Sequence, residues 1–385
     1  VESALRPISI PVDSLTPQTS YAYTVTTGSG QQVSGRFRTP AVTGRNGLRF
    51  GVSGDGRGDW LPFQALANAS ARNLDFFVYL GDTVYADVSS PAVGGSAQTL
   101  PEYRLKHAEV LTTRHGRNYL ADLRRSTAFF ASIDDHEVKD DFAGGASAVD
   151  DDSFPETSGF VNDTERFENG LRAFQEYYPL AEEWYGSIGG DGRMDGERRL
   201  YRFRTFGHDA ALFILDARSF RDKQISKPNL ADAVDILRFL TESYAPERTL
   251  LGEAQVADLQ RDLLVANARG ITWKIIALPE PIQNLGALGA ADRYEGYARE
   301  RADLLAFIRE NDIRNVVFVS ADVHGTLIEA GTLRIGDGGA VGTGGITNDA
   351  LLVVDHSGML NVPNTISGTG RLVQTGGGTT VLTAD

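Results

Sequence analysis

Acidic residues follow four short apolar runs of the sequence, each just past the point where the run ends. These acids are Asp55, Asp82, Asp135 and Asp322, and two histidines lie near the last two, His136 and His324. Short apolar runs are typical of inner strands of α/β sheets, and ligands bind outside the carboxyl ends of such strands. Four acidic loops at one sheet edge would repel one another unless cations lay between them. The pattern therefore predicts a shared metal site.

The candidate ligands are carboxylates and imidazoles, because the chain contains no cysteine. These donors suit hard or borderline cations: iron, manganese, zinc, magnesium or calcium. Each piece taken alone has a structural interpretation. Leu80-Gly81-Asp82, for example, could be a turn in which the aspartate caps a helix. The four acidic loops together, each placed after a predicted strand, favour the metal site.

Apolar runs and helical stretches alternate through the middle of the chain. Strands are predicted at 48–52, 76–80, 127–132, 211–215, 272–278 and 315–319. Helical periodicity is clearest at 253–268 and 299–311. This alternation predicts an α/β (α+β) fold in which helices cover the sheets.

Both ends of the chain are predicted to contain β-structure. Near the N-terminus apolar and polar side chains alternate, which predicts three strands at 8–10, 21–25 and 33–37. They resemble the second half of a fibronectin-III-like sandwich, so we divide the chain into a partial β-domain at 1–42 and a main domain at 43–385. Beyond residue 320 we predict strands at 326–335 and 350–355 in a Gly-rich tail, without an internal repeat.

The chain is acidic, with 37 Lys and Arg against 51 Asp and Glu and a formal net charge of −14. It has no basic stripe, so nucleic acid is not expected as a stable partner. An anionic substrate would need metal ions or arginines that reverse the charge locally. No apolar run of about 18 residues predicts a membrane span. We interpret the start at Val1 as a cleaved leader or a missing front segment.

These motifs resemble those of the calcineurin-like metallophosphoesterases and, within them, the PhoD-like alkaline phosphatases. The resemblance covers about residues 48–330 and rests on Asp55-Gly56-Arg57, Gly81-Asp82-Thr83-Val84-Tyr85, Asp134-Asp135-His136-Glu137 and Ala321-Asp322-Val323-His324. The PhoD-like branch is similar also at 215–221, 251–255 and 292–297. The resemblance implies a metallophosphoesterase sheet sandwich covered by helices, with 43–385 as the catalytic domain.

Three positions depart from the superfamily pattern. Arg57 replaces a metal-binding histidine, Asp135 replaces an asparagine and Asp322 replaces a histidine, so the second metal site is expected to be richer in carboxylates. The cysteine that some PhoD-like members carry near the first loop is also missing. Its absence leaves Asp55 to fill that ligand position.

The resemblance implies a binuclear site in which Asp82 bridges two metal ions. The first site would be completed by Asp55, Tyr85 and His324, and the second would be held by Asp135 and Asp322. Glu280, in a Pro-Glu-Pro segment, is either a further metal ligand or part of a rigid turn.

The resemblance also implies roles in substrate binding. His136 would contact the phosphate and help the leaving group to depart. Arg57 and Arg218 would clamp phosphate oxygens, because a guanidinium matches them in a bidentate way. Arg218 could instead form an ion pair with Asp216.

These roles predict a metal-dependent phosphoester hydrolase, an alkaline phosphatase in which metal-bound hydroxide attacks small phosphoesters directly. A phenolate and an imidazole suit iron, whereas carboxylates suit calcium. We therefore expect two or more metal ions, Fe³⁺ and Ca²⁺, with Zn²⁺, Mn²⁺ and Mg²⁺ left open. The resemblance implies a periplasmic or secreted location, and the oligomeric state stays open.

Two other functions are considered. A phospholipase D-like phosphodiesterase on the same scaffold would use the same metals and differ in a pocket shaped by loops 86–118 and 143–163. A non-catalytic calcium-binding adhesion module would suit the acidic, Gly-rich composition, but it does not explain His136, His324 and Tyr85 beside the acids.

Overall fold

The computed structural model describes residues 5–156, 158–187, 191–286, 292–323, 326–328, 332–336 and 345–383. The chain forms two compact units. Val1–Pro62 and Asn73–Asp322 make up the large unit, and Phe63–Arg72 and Val323–Asp385 make up the C-terminal unit. The predicted division into 1–42 and 43–385 follows the sequence pattern and stays a prediction.

The N-terminal part of the large unit contains a β-hairpin. Strands β1 (Ser20–Thr26) and β2 (Gln32–Arg38) pair antiparallel. Their Tyr21 and Phe37 side chains stack with ring centroids 5.6 Å apart. The strand predicted at 8–10 is wrong, because both isoleucines there are exposed and no described strand pairs with the segment. The fibronectin-III-like character of the segment stays a prediction.

Two sheets form the centre of the large unit. The first is parallel throughout, and its strands in spatial order are β3 (Phe50–Ser53), β4 (Phe76–Leu80) and β5 (Ala128–Ser132). The second is parallel except for its first strand, and its strands in spatial order are β6 (Arg202–Phe206), β7 (Ala210–Ile214), β8 (Trp273–Ala277) and β9 (Val316–Val319).

One hydrophobic cluster contains side chains from both sheets. Phe76 and Val78 of β4 lie in it together with Leu212 and Ile214 of β7. Every residue of these two strands is buried, which is why the sequence shows them as continuous apolar runs. The sequence pattern missed β6, whose arginines interrupt the apolar run.

Six described helices accompany the sheets: α1 (Leu100–Glu109), α2 (Tyr119–Ser126), α3 (Glu165–Tyr177), α4 (Ala233–Ser243), α5 (Glu253–Ala268) and α6 (Ala298–Glu310). The predicted mixed α/β character is confirmed. Helices α5 and α6 bury Leu259, Leu263 and Leu304 in a second cluster with Phe213 and Ile276 of the second sheet.

Local sequence explains where several helices begin. The side chain of Asn118 accepts a hydrogen bond from the Ala121 N–H at the start of α2, and Asp232 caps α4 in the same way. The sequence pattern missed α1 because its buried residues include Arg104, Lys106 and His107, which hide an apolar face. None of the described helices is both long enough and apolar enough to cross a membrane.

The C-terminal unit contains short parallel strands: β10 (Thr326–Ile328), β11 (Thr332–Gly336), β12 (Ile346–Asn348), β13 (Leu351–Asp355), β14 (Met359–Val362), β15 (Ile366–Ser367), β16 (Arg371–Gln374) and β17 (Thr379–Leu382). They form three sheets, β10-β12-β15, β11-β13-β16 and β14-β17. Each strand thus pairs with the equivalent strand of the next coil, which is the arrangement of a parallel β-solenoid.

The pairing register of the solenoid is 20 residues over most of its length. Ile346 is opposite Ile366, Leu352 is opposite Leu372, and Val362 is opposite Leu382. We name residues 346–365 coil 2 and residues 366–383 coil 3. The prediction that the tail lacks an internal repeat is wrong, because each coil repeats the path of the one before it.

Candidate metal centre

Three of the predicted metal ligands lie in tight loops just past the ends of strands. Asp55, Asp82 and Asp322 each adopt a left-handed backbone conformation, with φ of 60°, 51° and 63°. Such angles are uncommon outside glycine, although aspartate tolerates them better than most residues, and they cluster at functional sites. Asp55 and Asp82 lie two residues past the ends of β3 and β4, and Asp322 lies three residues past the end of β9.

Hydrogen bonds join these three loops. The Gly56 N–H donates to the Asp82 carbonyl at 3.0 Å. The Asp322 N–H donates to the Asp55 carboxylate at 3.2 Å, across 267 positions of sequence. Three of the four acid-bearing loops predicted from the sequence, those of Asp55, Asp82 and Asp322, therefore meet at one place in the large unit.

The fourth acidic loop contributes two residues to a cluster of candidate ligands. One ligand atom each from Asp82, Asp135 and His136 lie within 4.8 Å of one another, in a geometry that could hold a metal ion. Asp82 and Asp135 are buried, with 3% and 5% of their surface exposed. Buried carboxylates this close together need a compensating cation or a proton.

The two carboxylates of this cluster differ in electrostatic environment. Burial raises the pKa of Asp82 well above its usual value, and the nearby charges of Asp135 and Asp134 raise it further. Burial also opposes ionisation of Asp135, but Arg218 and His136 outweigh it and lower its pKa to about 2. A cation at Asp82 would stabilise the ionised carboxylate and oppose this rise in its pKa.

Tyr85 lies beside this cluster. Its ring stacks on the His136 ring with centroids 3.9 Å apart. Burial raises the pKa of its hydroxyl, as do the charges of Asp82 and Asp55 and a hydrogen bond to Asp82. The structure therefore brings Tyr85 to the same carboxylate that the sequence pattern assigns as the bridge. The predicted ligand His324 lies outside the described residues.

Glu137 was missed as a site residue, although it ends the Asp-Asp-His-Glu motif. Its fully buried carboxylate accepts hydrogen bonds from the Thr83 hydroxyl at 2.6 Å and from the Asp134 N–H at 2.9 Å. Burial raises its pKa to about 7, against the lowering effect of these bonds. The loop that contains Gly81 packs closely against Asp134: a Cβ at position 81 would lie only 2.5 Å from the Asp134 Cβ, so a larger residue would not fit. Glu137 thus ties two acidic loops together.

Asp87 was also missed, and no spacing in the sequence marks it. One oxygen of its carboxylate lies 2.7 Å from Nδ1 of His136, and the other accepts the Asp140 N–H at 2.8 Å. Burial alone would lower the pKa of His136, but Asp87 and Asp135 raise it to about 9. The hydrogen bond between Nδ1 and the Asp87 carboxylate therefore favours the protonated imidazole.

Arg57, a predicted phosphate clamp, is partly open to solvent. Its guanidinium donates to the Asp59 carboxylate at 3.1 Å and lies over the rings of Trp60 and Tyr85, at 5.6 Å and 5.7 Å from their centroids. An accessible cation beside Tyr85 is in a position to meet an anionic substrate.

Arg218, the other predicted clamp, is fully buried. Its guanidinium donates to Asp134 at 2.6 Å and lies 2.6 Å from the Glu280 carboxylate. The anticipated partner Asp216 instead accepts a hydrogen bond from the backbone N–H of Arg218, at 3.0 Å. The side chain therefore faces neighbouring carboxylates of the protein.

Glu280 is surrounded by arginines. Besides Arg218, it has Arg221 at 3.6 Å and Arg293 at 3.7 Å, and none of its surface is exposed. Burial raises its pKa, against the lowering effect of Arg218. Arg293 also donates to the Asp322 carboxylate. A chain of buried and half-buried charges thus connects Asp134 to Asp322.

The residues present fit the metal ions implied by the sequence motifs. Asp82 is a buried carboxylate whose nearest ionisable neighbours are mostly acidic, and no described cation pairs with it directly. Asp55, Tyr85 and Asp135 surround it with oxygen donors. Oxygen-rich donor sets of this kind suit calcium and other hard ions, and a phenol and an imidazole extend the range to iron or zinc.

The fold and the site together define a mixed α/β protein with an acidic candidate metal centre at the loops after its parallel strands. A sequence model described as PhoD-like phosphatase matches residues 52–341. The chain belongs to this family, as its motifs predicted.

Individual proteins are similar as well. Alkaline phosphatase D of Bacillus subtilis (strain 168) is 26% identical over 344 residues, which is 84% of this chain and 54% of the relative. A solved structure titled "Structure of PhoD" matches with a TM-score of 0.64 and 24% identity, over 82% of this chain and 58% of the other. The chain thus spans little more than half the length of these relatives, and the solved structure shows similarity of fold.

Proposed function

We propose that this protein is a metal-dependent phosphoester hydrolase of the alkaline phosphatase type with a binuclear metal site. The observation that carries the proposal is the buried cluster of Asp82, Asp135 and His136, which lies where four acidic loops are drawn together. Membership of the PhoD-like phosphatase family supports it. When bound, two metal ions would activate the attacking water and neutralise charge on the phosphoryl group.

The ligand assignment follows the placement of the side chains. Asp82 is central, because Asp135 of another loop and Tyr85 of its own loop both approach it, and we propose that it bridges the two ions. The first ion would be held also by Asp55, Tyr85 and His324. The second would be held also by Asp135 and Asp322. The role of His324 rests on the sequence motif alone.

The identity of the metal ions belongs to the proposal. Tyrosine and histidine suit iron at the first position, and carboxylates suit calcium at the second. Elemental analysis of the purified protein tests this directly. If the Tyr85 oxygen binds ferric iron, the protein should absorb visible light, and Tyr85→Phe should bleach that band. A colourless and fully active protein that contains only zinc would overturn the assignment of iron and calcium.

Two arginines and a glutamate complete the proposed site. Arg57 is accessible and adjoins Tyr85, so it is the better candidate for contact with the phosphate. Arg218 and Glu280 are buried against each other, and we propose that they hold the Asp134–Glu137 loop rather than bind substrate or metal. These contacts favour a structural role for Glu280 over a role as a metal ligand.

His136 would protonate the departing oxygen of the substrate. Asp87 accepts a hydrogen bond from Nδ1 and favours the imidazolium form of the ring, whose Nε2 would then have a proton to donate. This arrangement corresponds to a general acid oriented by a carboxylate. The protonated ring would also attract the phosphate, so loss of His136 affects both binding and departure.

Diester hydrolysis is a further part of the proposal. A phosphodiesterase would use the same centre, with loops 86–118 and 143–163 shaping the space for the second ester arm. Assays on 4-nitrophenyl phosphate and bis(4-nitrophenyl) phosphate, with matched metal analysis, test both activities. Hydrolysis of neither ester by metal-loaded protein would overturn the proposed function and return the calcium-binding adhesion module as the better explanation.

An exported location is also proposed, because the family resemblance implies it. Fractionation of source cells, with detection by an antibody against the large unit, tests the proposal. Recovery of the protein only with cytosolic markers would contradict it.

A further inference from the structure

The guanidinium of Arg57, the arginine proposed above to contact the phosphate, is held by a carboxylate two residues away. Its Nε donates to Oδ1 of Asp59 at 3.1 Å, and its Nη2 donates to Oδ2 at 3.2 Å. This is the same fork with which an arginine can grip two oxygens of a phosphate. A phosphoryl group that approaches Arg57 must therefore use its remaining donors or displace Asp59.

Further contacts keep this ion pair beside the candidate metal centre. The guanidinium of Arg57 lies over the rings of Trp60 and Tyr85, and Tyr85 is a candidate metal ligand. The carbonyl of Asp59 accepts a hydrogen bond from Arg114 at 2.6 Å. Because both members of the pair have other partners, Asp59 stays close to Arg57 when a ligand arrives.

Solvent reaches both members of the pair. The side chain of Arg57 is 33% exposed and that of Asp59 is 51% exposed. The nearby Lys106 is only 2% exposed, and its ammonium group donates to the Val88 carbonyl and to the Ser90 hydroxyl. An anion that approaches from solvent therefore meets the negative charge of Asp59 together with the positive charge of Arg57.

The repulsion between Asp59 and a bound anion depends on the charge of that anion. A phosphomonoester and inorganic phosphate are dianions at alkaline pH, because their second pKa is about 6, whereas a phosphodiester is a monoanion. Coulomb energy is proportional to charge, so a carboxylate repels a dianion twice as strongly as a monoanion at the same distance. The carboxylate of Glu109 acts in the same sense near this turn, since a Cβ at Gly58 would be 3.3 Å from its Oε2.

We propose that Asp59 is a specificity-determining residue, which holds Arg57 in place and selects against dianions, so that the site is shifted toward monoanionic phosphodiesters. The inference rests on the proposed function and adds the charge class of its preferred substrate. Asp59 acts through Arg57 and through its own charge, without contact with the reacting atoms. Its effect should therefore differ between ligands of different charge, which a purely structural role would not produce.

Inhibition of the metal-loaded protein by inorganic phosphate and by dimethyl phosphate tests the proposal. The substrate is whichever of the two nitrophenyl esters the wild type hydrolyses. The assay pH is about 8.5, where phosphate is a dianion and dimethyl phosphate a monoanion. We expect Asp59→Asn to lower the Ki of phosphate by about fivefold and the Ki of dimethyl phosphate by about twofold, because the repulsion removed is twice as large for the dianion.

Asp312→Asn is the matched control. Arg314 donates to the Asp312 carboxylate through the same two nitrogens, at 3.0 Å and 3.2 Å, and the change in net charge is the same. Asp312 lies before β9, whereas the candidate ligand Asp322 lies past its other end, so both Ki values should stay unchanged. Asp59→Glu keeps the charge and should keep the wild-type ratio of the two Ki values.

The outcomes separate this inference from the proposed function. If the wild type hydrolyses neither ester, the proposed function is wrong and the inference falls with it. If the wild type is active but Asp59→Asn changes both Ki values by the same factor, or changes neither, only the inference is wrong. The difference between wild type and Asp59→Asn should also shrink when salt rises from about 0.01 M to about 1 M, and persistence at high salt would contradict an electrostatic cause.

Discussion

The candidate metal centre and the C-terminal solenoid are both built from segments placed side by side, but different forces hold them. At the metal centre, carboxylates that repel one another are held by Glu137 and by the buried Arg218. In the solenoid, backbone hydrogen bonds and apolar columns repeat from coil to coil. The centre should therefore be sensitive to single charges, whereas the solenoid spreads its stability over equivalent positions.

The largest expected effect is at Asp82. Asp82→Asn removes the carboxylate that several loops approach and would weaken both proposed metal positions at once. We expect hydrolysis of 4-nitrophenyl phosphate to fall by about a hundredfold or more, with most of the bound metal lost. Assays at saturating metal, together with elemental analysis, measure both effects.

The matched control for this prediction is Asp303→Asn. Asp303 lies on α6 and pairs with Arg299 on the surface, with 61% of its side chain exposed. Its substitution should leave activity and metal content unchanged. If Asp82→Asn kept more than about a tenth of the wild-type rate while folded, the bridging assignment would be wrong.

The same contrast explains what the sequence could predict. The acidic loops were found because each follows a fully or largely apolar strand, and the position of a strand end fixes where its loop lies. Glu137 and Asp87 were missed as site residues, because their roles depend on contacts with residues far away in the sequence. Thr83 lies 54 positions from Glu137, and His136 lies 49 positions from Asp87. Such pairings follow from packing and have no local signature.

The solenoid was missed for a different reason. Its repeat preserves position more than residue type: Leu352 and Leu372 match, but Val354 is opposite Gln374 and Asn348 lies 20 residues before Gly368. A search for identical residues therefore finds little. A search for apolar columns at a fixed period would have paired Ile346 with Ile366.

The second prediction tests the buried charges of the large unit. Arg218→Met leaves the carboxylates of Asp134 and Glu280 buried without their partner. Breaking a buried ion pair in this way costs about 3–5 kcal/mol of unfolding free energy. Urea denaturation followed by circular dichroism measures the change, and we expect a large shift of the midpoint.

Arg314→Met is the control for Arg218→Met. Arg314 pairs with Asp312, but both side chains are more than three-quarters exposed, at 78% and 76%. Its loss should leave the denaturation midpoint nearly unchanged. Equal effects of the two substitutions would mean that the buried ion pairs of Arg218 contribute no more to the free energy of unfolding than an exposed pair does.

The third prediction compares two positions of one column in the solenoid. Leu352→Ala empties a buried position and should cost about 2–4 kcal/mol, whereas Leu372→Ala, at the exposed end, should cost less than about 1 kcal/mol. Hydrogen exchange of peptides from residues 345–383 reports the local effect. Faster exchange to the same extent in both variants would contradict the difference in burial between the two positions.

The smallest expected effect concerns the pairing of Asp87 with His136. Asp87→Asn removes the carboxylate whose hydrogen bond does most to raise the pKa of His136 to about 9, so that pKa should fall. The His136 ring then loses its proton at a lower pH, and the alkaline limb of the rate profile should move in the acidic direction.

At a pH between the acidic and alkaline limbs of the rate profile, we expect the Asp87→Asn variant to be about tenfold slower than the wild type, a typical cost of removing an orienting partner. The loss should be larger for an alkyl phosphate than for 4-nitrophenyl phosphate, because nitrophenolate departs readily without a proton. His136→Ala gives the upper limit of this selectivity. Asp140→Asn is the comparison and should have a smaller effect, since its exposed carboxylate lies 3.8 Å from Nε2 and raises the pKa of His136 less than Asp87 does. An unshifted alkaline limb with equal losses on both esters would show that Asp87 serves the fold and not proton transfer by His136.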